Sequence, residues 1–115
     1  MPNQQPVLKT ISEIVPVKTS HGIGEKRVLL SQKEYPSPVT QIAQTGLKAG
    51  EVVESHSHPT MDEHFVFLEG KCEVTMDGKT MVCEGGQYLL MPAGTQHRIK
   101  VITNTVMLTV GIALD

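Results

Sequence analysis

Short runs of apolar residues alternate with polar ones through most of the chain, and turn-forming residues separate the runs. Runs of this length with period-two alternation predict β-strands rather than helices. The predicted strands cover residues 39–47, 52–58, 64–68, 71–76, 79–83, 88–91, 97–102 and 105–112. Strands that follow one another so closely, with a turn signal after each, predict a single all-β domain, either a sandwich or a barrel.

The first 38 residues have a weaker pattern, with one short predicted strand at residues 26–30 before a proline-rich bend at residues 35–38. His21 stands in a predicted loop between a serine and a glycine, which favours a solvated side chain over a metal ligand. We therefore expect residues 1–38 to form an N-terminal arm with one or more short strands, ahead of a β domain at residues 39–115.

Asp77-Gly78 is the strongest local signal in the chain, because this dipeptide between two apolar runs favours a two-residue type I′ hairpin. Such a turn fixes the register of its strands, so Met76 should pair with Lys79, and Cys72 with Cys83. Paired cysteines would suggest a disulfide in a secreted protein. Since the sequence shows no export signal at its start, we expect two reduced, buried thiols instead.

Length and charge exclude several classes of function. A chain of 115 residues can bury one hydrophobic core, which suits a single domain. Its formal net charge of −2 offers no basic surface for nucleic acid or anionic lipid. No stretch approaches the roughly 18 apolar residues that a membrane helix needs. We therefore expect a cytoplasmic protein with no nucleic-acid or membrane partner.

His56 and His58 are the first candidate metal ligands. Residues two apart lie on the same face of an extended strand, so both imidazoles can reach one point. Pro59 cannot continue a central strand, so the chain must bend there and return. His97 offers a third imidazole, because it follows the turn-forming Pro92-Ala93-Gly94 at the start of another apolar run.

The segment that returns after the proline can add a fourth ligand. From the pattern alone Asp62, Glu63 or His64 could face the histidines, because the strand that follows is apolar on both faces. Three imidazole nitrogens and one carboxylate suit a single divalent ion, and iron, manganese, nickel and zinc are all compatible with such a site.

Two stretches resemble the two signature motifs of the cupin superfamily. The first consists of Gly50, five residues, His56-x-His58, four residues, Glu63, six residues and Gly70. The second consists of Gly86, five residues, Pro92-x-Gly94, two residues and His97. One departure is Val101, which stands where the second motif usually has an asparagine.

The resemblance implies a double-stranded β-helix, the jelly-roll barrel of the cupins, over residues 39–115. It also implies that Glu63, rather than either neighbour, joins the three histidines around the metal. Cupins commonly dimerise through sheet edges and exchanged strands. The resemblance therefore implies a homodimer, with residues 1–38 packing on the barrel or exchanged between the two subunits.

The strand after Glu63 has apolar residues on both faces, with Phe65 and Phe67 on one side and Val66 and Leu68 on the other. The pair outside the barrel needs cover from water, by a second sheet, by residues 1–38 folding back over it or by a second subunit. We expect the second subunit, and so a homodimer, independently of the resemblance.

Composition favours a flexible pocket for a small molecule, because six Met accompany only two Phe, two Tyr and no Trp. The residues expected to line it are Phe65, Phe67, Met76, Met81 and Met91.

Two classes of function fit this site. The first is a metal-dependent enzyme on a small organic molecule, since four protein ligands leave positions on a six-coordinate ion for substrate or O₂. The resemblance implies oxygenase, isomerase or decarboxylase chemistry, with a dioxygenase-type oxidoreductase among the candidates. The alternative is a non-catalytic binding or sensing protein. A storage role like that of seed cupins is disfavoured by the intact ligand set and the small size.

Overall fold

A computed structural model describes residues 5–114, so the first four residues of the expected N-terminal arm and the last residue of the chain lie outside it. The strands are β1 Val17–Lys18, β2 Glu25–Ser31, β3 Val39–Leu47, β4 Val52–His56, β5 Met61–Met76, β6 Lys79–Glu84, β7 Tyr88–Met91 and β8 His97–Ala113. A single 3₁₀ turn at Ile11–Glu13 completes the regular structure of the described residues. No helix among residues 5–114 is long and apolar enough to span a membrane.

The two long strands β5 and β8 organise the sheet. They run antiparallel from Met61 opposite Ala113 to Met76 opposite His97. Along its other edge β8 pairs with β4 and then with β3, while β5 pairs with β7 and then with β6. Each long strand therefore carries two shorter partners one after the other. This arrangement is the predicted double-stranded β-helix, an all-β jelly-roll barrel.

The sequence predicted strand ends at Gly70 and at Thr103-Asn104, but no strand ends at either place. Both β5 and β8 continue through these positions, with shifts of register between Phe67 and Cys72. Gly70 has a φ of +96°, and a β-carbon there would collide with the backbone oxygen of Asn104. The glycine therefore lets two strands approach closely at a bulge, where the sequence pattern indicates a turn.

The predicted hairpin is confirmed. Asp77 and Gly78 both have positive φ, 50° and 73°, as a type I′ turn requires. The register also follows the prediction, with Met76 opposite Lys79 and Cys72 opposite Cys83. Both thiols are free and buried, and burial raises the pKa of each.

The structure decides which face of β5 lines the barrel. Phe65 and Phe67 are buried in the core, whereas Val66 and Leu68 point outward and are 36% and 46% exposed. Val101, which departs from the family motif, is also buried in the core.

Most of the N-terminal arm lies beside the barrel rather than inside it. β2 pairs with β3 of the same chain, with Lys26 opposite Thr45, and β1 adds a short outer strand. The arm thereby extends the sheet at one edge. Its exchange between two subunits stays a prediction.

Candidate metal centre

Three imidazoles converge at one end of the barrel. His56 is the last residue of β4 and His97 the first of β8, and the two form a register pair. His58 follows in the loop, because β4 ends two residues earlier than predicted. One potential ligand atom of each histidine lies within 4.8 Å of the others. The structure thus brings together the three histidines that the sequence selected, in a group able to hold a metal ion.

Backbone hydrogen bonds orient two of these rings. Nδ1 of His56 lies 2.9 Å from the carbonyl oxygen of Glu54, and Nδ1 of His97 lies 3.0 Å from that of Thr95. Because a carbonyl can only accept, each Nδ1 must carry the proton of its bond. Each Nε2 is then unprotonated, and its lone pair is available to coordinate a metal ion.

The Nε2 atom of His97 shows that the site suits a metal. It is buried and has no hydrogen-bond partner among the described residues. An unpaired polar atom in the interior costs free energy of about 1 to 3 kcal/mol. Coordination of a cation by this lone pair would remove that cost.

Glu63 lies beside the histidines but outside the group of three. One of its carboxylate oxygens is 3.5 Å from Nε2 of His58. Burial raises the pKa of Glu63, against the opposing effect of positive charge at His97, His56 and Lys26. A half-buried carboxylate at this distance can serve as the oxygen ligand that the resemblance implies.

The neighbours of Glu63 are directed elsewhere. Asp62 accepts a 2.8 Å hydrogen bond from the backbone N–H of Ala93. His64 lies on the outer face of β5, with Nδ1 2.6 Å from the Tyr88 hydroxyl. The alternation of β5 thus leaves Glu63 as the carboxylate that faces the histidines.

Burial favours the neutral form of two of the imidazoles, those of His58 and His97. It lowers the pKa of His58, and the charge of His56 lowers it further. For His97, burial lowers the pKa most, although the hydrogen bond to Thr95 raises it. Neutral imidazoles are the form in which histidine binds metals.

A cavity of about 330 Å³ adjoins the histidines. Phe65 lines it as predicted, and the methionines that line it are Met61 and Met107. The other four residues predicted to line the pocket lie elsewhere. Phe67 and Met91 are buried in the core and Met76 packs against it. Met81 is 38% exposed, because β6 is the last strand of the sheet that residues 5–114 form.

Several polar residues of the cavity wall were missed by the sequence analysis, among them His21, Lys26 and Gln41. His21 is solvent-exposed, as predicted, but its ring centroid lies 5.7 Å from that of His56. No local signal marks these residues, because Lys26 and Gln41 reach the cavity through the pairing of β2 with β3 and His21 through the loop before β2.

Residues 44–111 match the sequence profile of the family described as "Cupin domain", which covers more than half of the chain. Together with the jelly roll and the histidine cluster, this match shows that the chain belongs to the cupin family.

Several curated proteins are similar in sequence. A protein named polyketide synthase CurC from Streptomyces cyaneus is 30% identical over 106 residues, which cover 87% of this chain and 64% of that protein. Quercetin 2,3-dioxygenase from Bacillus subtilis is 35% identical over 51 residues, 44% of this chain and 15% of the enzyme. The chain thus spans less than two thirds of the length of either relative.

Solved structures share the fold. A predicted oxalate decarboxylase from Thermotoga maritima superposes with a TM-score of 0.84 at 25% identity, over 94% of this chain and all of the other. Ectoine synthase from P. lautus superposes with a TM-score of 0.82 at 20% identity, over 94% of this chain and 78% of the synthase.

Proposed function

We propose that this protein is a cupin-type metalloenzyme that acts on a small organic molecule, with one divalent ion held by His56, His58, Glu63 and His97. The observation that carries the proposal is the buried Nε2 of His97, which has no hydrogen-bond partner among the described residues and lies beside two further imidazoles. The adjoining cavity of about 330 Å³ is of a size that suits a small ligand.

The names of similar proteins support the reaction class. They include a quercetin 2,3-dioxygenase and a predicted oxalate decarboxylase. We propose an oxidoreductase of the dioxygenase type as the first candidate and a decarboxylase as the second. A first-row divalent ion bound here would supply a Lewis acid and, if redox-active, a site for O₂ chemistry.

The chain itself would prepare the site in three ways. The carbonyls of Glu54 and Thr95 accept hydrogen bonds from His56 and His97 and thereby fix the tautomers of both rings. Apolar side chains of the cavity wall, among them Val53 and Phe65, exclude water and strengthen electrostatic interactions inside. Glu63 supplies the carboxylate, and metal binding would displace the proton that burial helps it to retain in the metal-free site by raising its pKa.

Metal analysis tests the site. Untagged protein expressed without added metal should carry about one equivalent of a first-row ion, by elemental analysis. His58→Ala and His97→Ala should lose most of it, whereas His64→Ala, on the outer face of β5, should keep it. Undiminished occupancy in the first two variants would contradict the assignment.

An O₂-uptake screen with small aromatic and carboxylic compounds then tests the reaction class. Uptake that requires the metal would support the dioxygenase, and CO₂ release without uptake would support the decarboxylase. Binding of a compound without its conversion would support the alternative of a non-catalytic binding protein. We further propose that the protein works as a cytoplasmic homodimer.

A further inference from the structure

The cavity has a second polar wall, separate from the histidine cluster. It is built by the loop before β2 and by residues of β2 and β3. Its polar side chains include those of Thr19, His21, Lys26 and Gln41. None of them belongs to the group of potential ligand atoms. This wall therefore faces whatever molecule enters the cavity.

His21 has the opposite hydrogen-bond pattern to His56 and His97. Its Nδ1 lies 3.2 Å from the backbone N–H of Ile23, a group that can only donate. The Thr19 hydroxyl lies 2.9 Å from the same nitrogen, but it donates its single proton to the carbonyl oxygen of Ile23, 2.6 Å away. Because Nδ1 accepts, the proton of the neutral ring is on Nε2. His21 thus offers an N–H donor, whereas the two metal-site rings offer lone pairs.

Lys26 brings a full positive charge to the same wall. Its Nζ donates a 2.9 Å hydrogen bond to Oε1 of Gln41, which uses one of three donors and holds the side chain along the sheet. None of the ion pairs among residues 5–114 includes Lys26. Its charge reaches into the cavity, where it lowers the pKa of both Glu63 and His21.

The charges of the cavity wall do not balance once a metal is bound. Among the described lining residues Glu63 is the one carboxylate and Lys26 the one ammonium group. A divalent ion beside Glu63 leaves one positive charge, and Lys26 adds another, while neutral imidazoles add none. Unbalanced charge in a partly desolvated cavity is costly, so the site favours an anionic ligand.

We propose that the ligand of this cavity carries a carboxylate, which Lys26 and the Nε2–H of His21 bind while a second oxygen of the same molecule faces the histidine cluster. This inference rests on the proposed metal site and names its substrate class. The two excess positive charges lie at different places, the metal and Lys26. Two separate carboxylates on one molecule match them better than a phosphomonoester, which concentrates a charge of about −1.5 to −2 on one group at pH 7.

Dicarboxylates and their neutral isosteres provide the test. Binding of oxalate, malonate, succinate and glutarate to the metal-loaded protein is measured by calorimetry beside the four corresponding diamides. At least one dicarboxylate should bind at least tenfold more tightly than its diamide. Lys26→Met should weaken that dicarboxylate about tenfold, the value of one lost charge-assisted hydrogen bond, and leave the diamide unchanged. Lys33→Met, in the exposed turn after β2, is the matched control.

His21 is tested by a pair of variants. His21→Leu should weaken dicarboxylate binding several-fold, and His21→Gln, which keeps an N–H donor, should retain more of it. Both variants and Lys26→Met should keep full metal content by elemental analysis. Loss of metal in any of them would place the residue in the metal site and overturn its role in carboxylate recognition.

The results separate this inference from the proposed function. Equal binding of acids and diamides, or no binding of any dicarboxylate at millimolar concentration, would overturn the inference and leave a metal-loaded protein intact. An absence of metal in the wild-type protein would overturn the proposed function. Selective binding of dicarboxylates by that metal-free protein would then still support carboxylate recognition by Lys26.

Discussion

His56 and His97 face each other as a register pair across β4 and β8, with ring centroids 4.3 Å apart. Each ring bonds through Nδ1 to the carbonyl of the residue two positions before it, Glu54 or Thr95. The same local hydrogen bond is thus used twice, on two strands far apart in sequence. Strand pairing places both lone pairs in one site before any metal binds, which lowers the entropy cost of coordination.

Metal should stabilise the folded protein through this pair. Zn²⁺ at a hundredfold excess over its dissociation constant should raise the free energy of unfolding by about 2.7 kcal/mol over chelator-treated protein. His97→Ala should abolish the increase, and His21→Ala should retain it, because His21 offers N–H rather than a lone pair. Denaturation in urea, with and without Zn²⁺, measures both effects. Equal stabilisation of His97→Ala and wild type would mean that Zn²⁺ binds elsewhere.

The metal-free protein should lose stability on acidification. Folding lowers the pKa of His58 and His97 below the ordinary value of 6.5, so the unfolded chain binds protons that the folded chain does not. Their contribution is complete above about pH 6.5 and is lost as the pH falls through the lowered values. Burial raises the pKa of Glu63 above 4.5, which acts in the opposite direction at lower pH.

Urea denaturation in the presence of chelator at about pH 7.5 and about pH 5.5 measures this dependence. Wild type should be less stable at the lower pH, and the double variant His58→Asn, His97→Asn should show a smaller difference. An identical difference in the variant would show that other groups cause the acid sensitivity.

Gly78 should be needed for its backbone conformation alone. Its φ is +73°, and a β-carbon there would meet no atom within 4 Å. Gly78→Val should therefore cost about 1 kcal/mol or more from strain, without a clash. Gly78→Asn is the control, because asparagine tolerates positive φ, and it should cost less. Thermal unfolding compares the two, and an unchanged melting temperature for Gly78→Val would contradict the argument.

Local signals were sufficient for much of the fold. The hairpin at Asp77-Gly78 and its register depend on two adjacent residues, so the sequence could predict them. Gly70 could not be judged in this way. Its positive φ is typical of a turn, but a glycine is needed here because the Asn104 backbone of another strand approaches it closely. A local pattern contains no information on that contact.

The residues of the metal site could likewise be predicted from local signals, whereas those of the cavity wall could not. His56 and His58 are close in sequence and His97 follows a recognisable turn, so spacing and resemblance together selected them. Lys26 reaches the cavity through a strand pairing, and His21 from the loop before β2, where the following Gly22 and Gly24 have positive φ. The methionines predicted to line the pocket lie elsewhere, because composition gives the number of methionines but not the strand face on which each one lies.

The outer face of β5 and β7 provides the last prediction, that the protein is a homodimer. Val66 and Leu68 on β5 and Tyr88 and Leu90 on β7 are 36%, 46%, 58% and 41% exposed. Val66 pairs directly with Tyr88, so these side chains form one apolar patch. Residues 5–38 leave it uncovered, although the sequence alone allowed the N-terminal arm to fold over it. A second copy of the chain is the partner we expect here.

Burial of Val66 and Leu68 alone contributes roughly 3 to 6 kcal/mol, whereas association costs about 4 to 15 kcal/mol, which is larger over most of its range. The interface must therefore extend beyond this patch, and the β2 edge of the sheet is a candidate for its remainder. Sedimentation velocity at micromolar concentration should give a species of about twice 12.6 kDa. Leu68→Glu should shift it to the monomer, because a carboxylate would be buried without a partner, whereas Lys33→Glu should not. A wild-type species near 12.6 kDa would rule out the dimer.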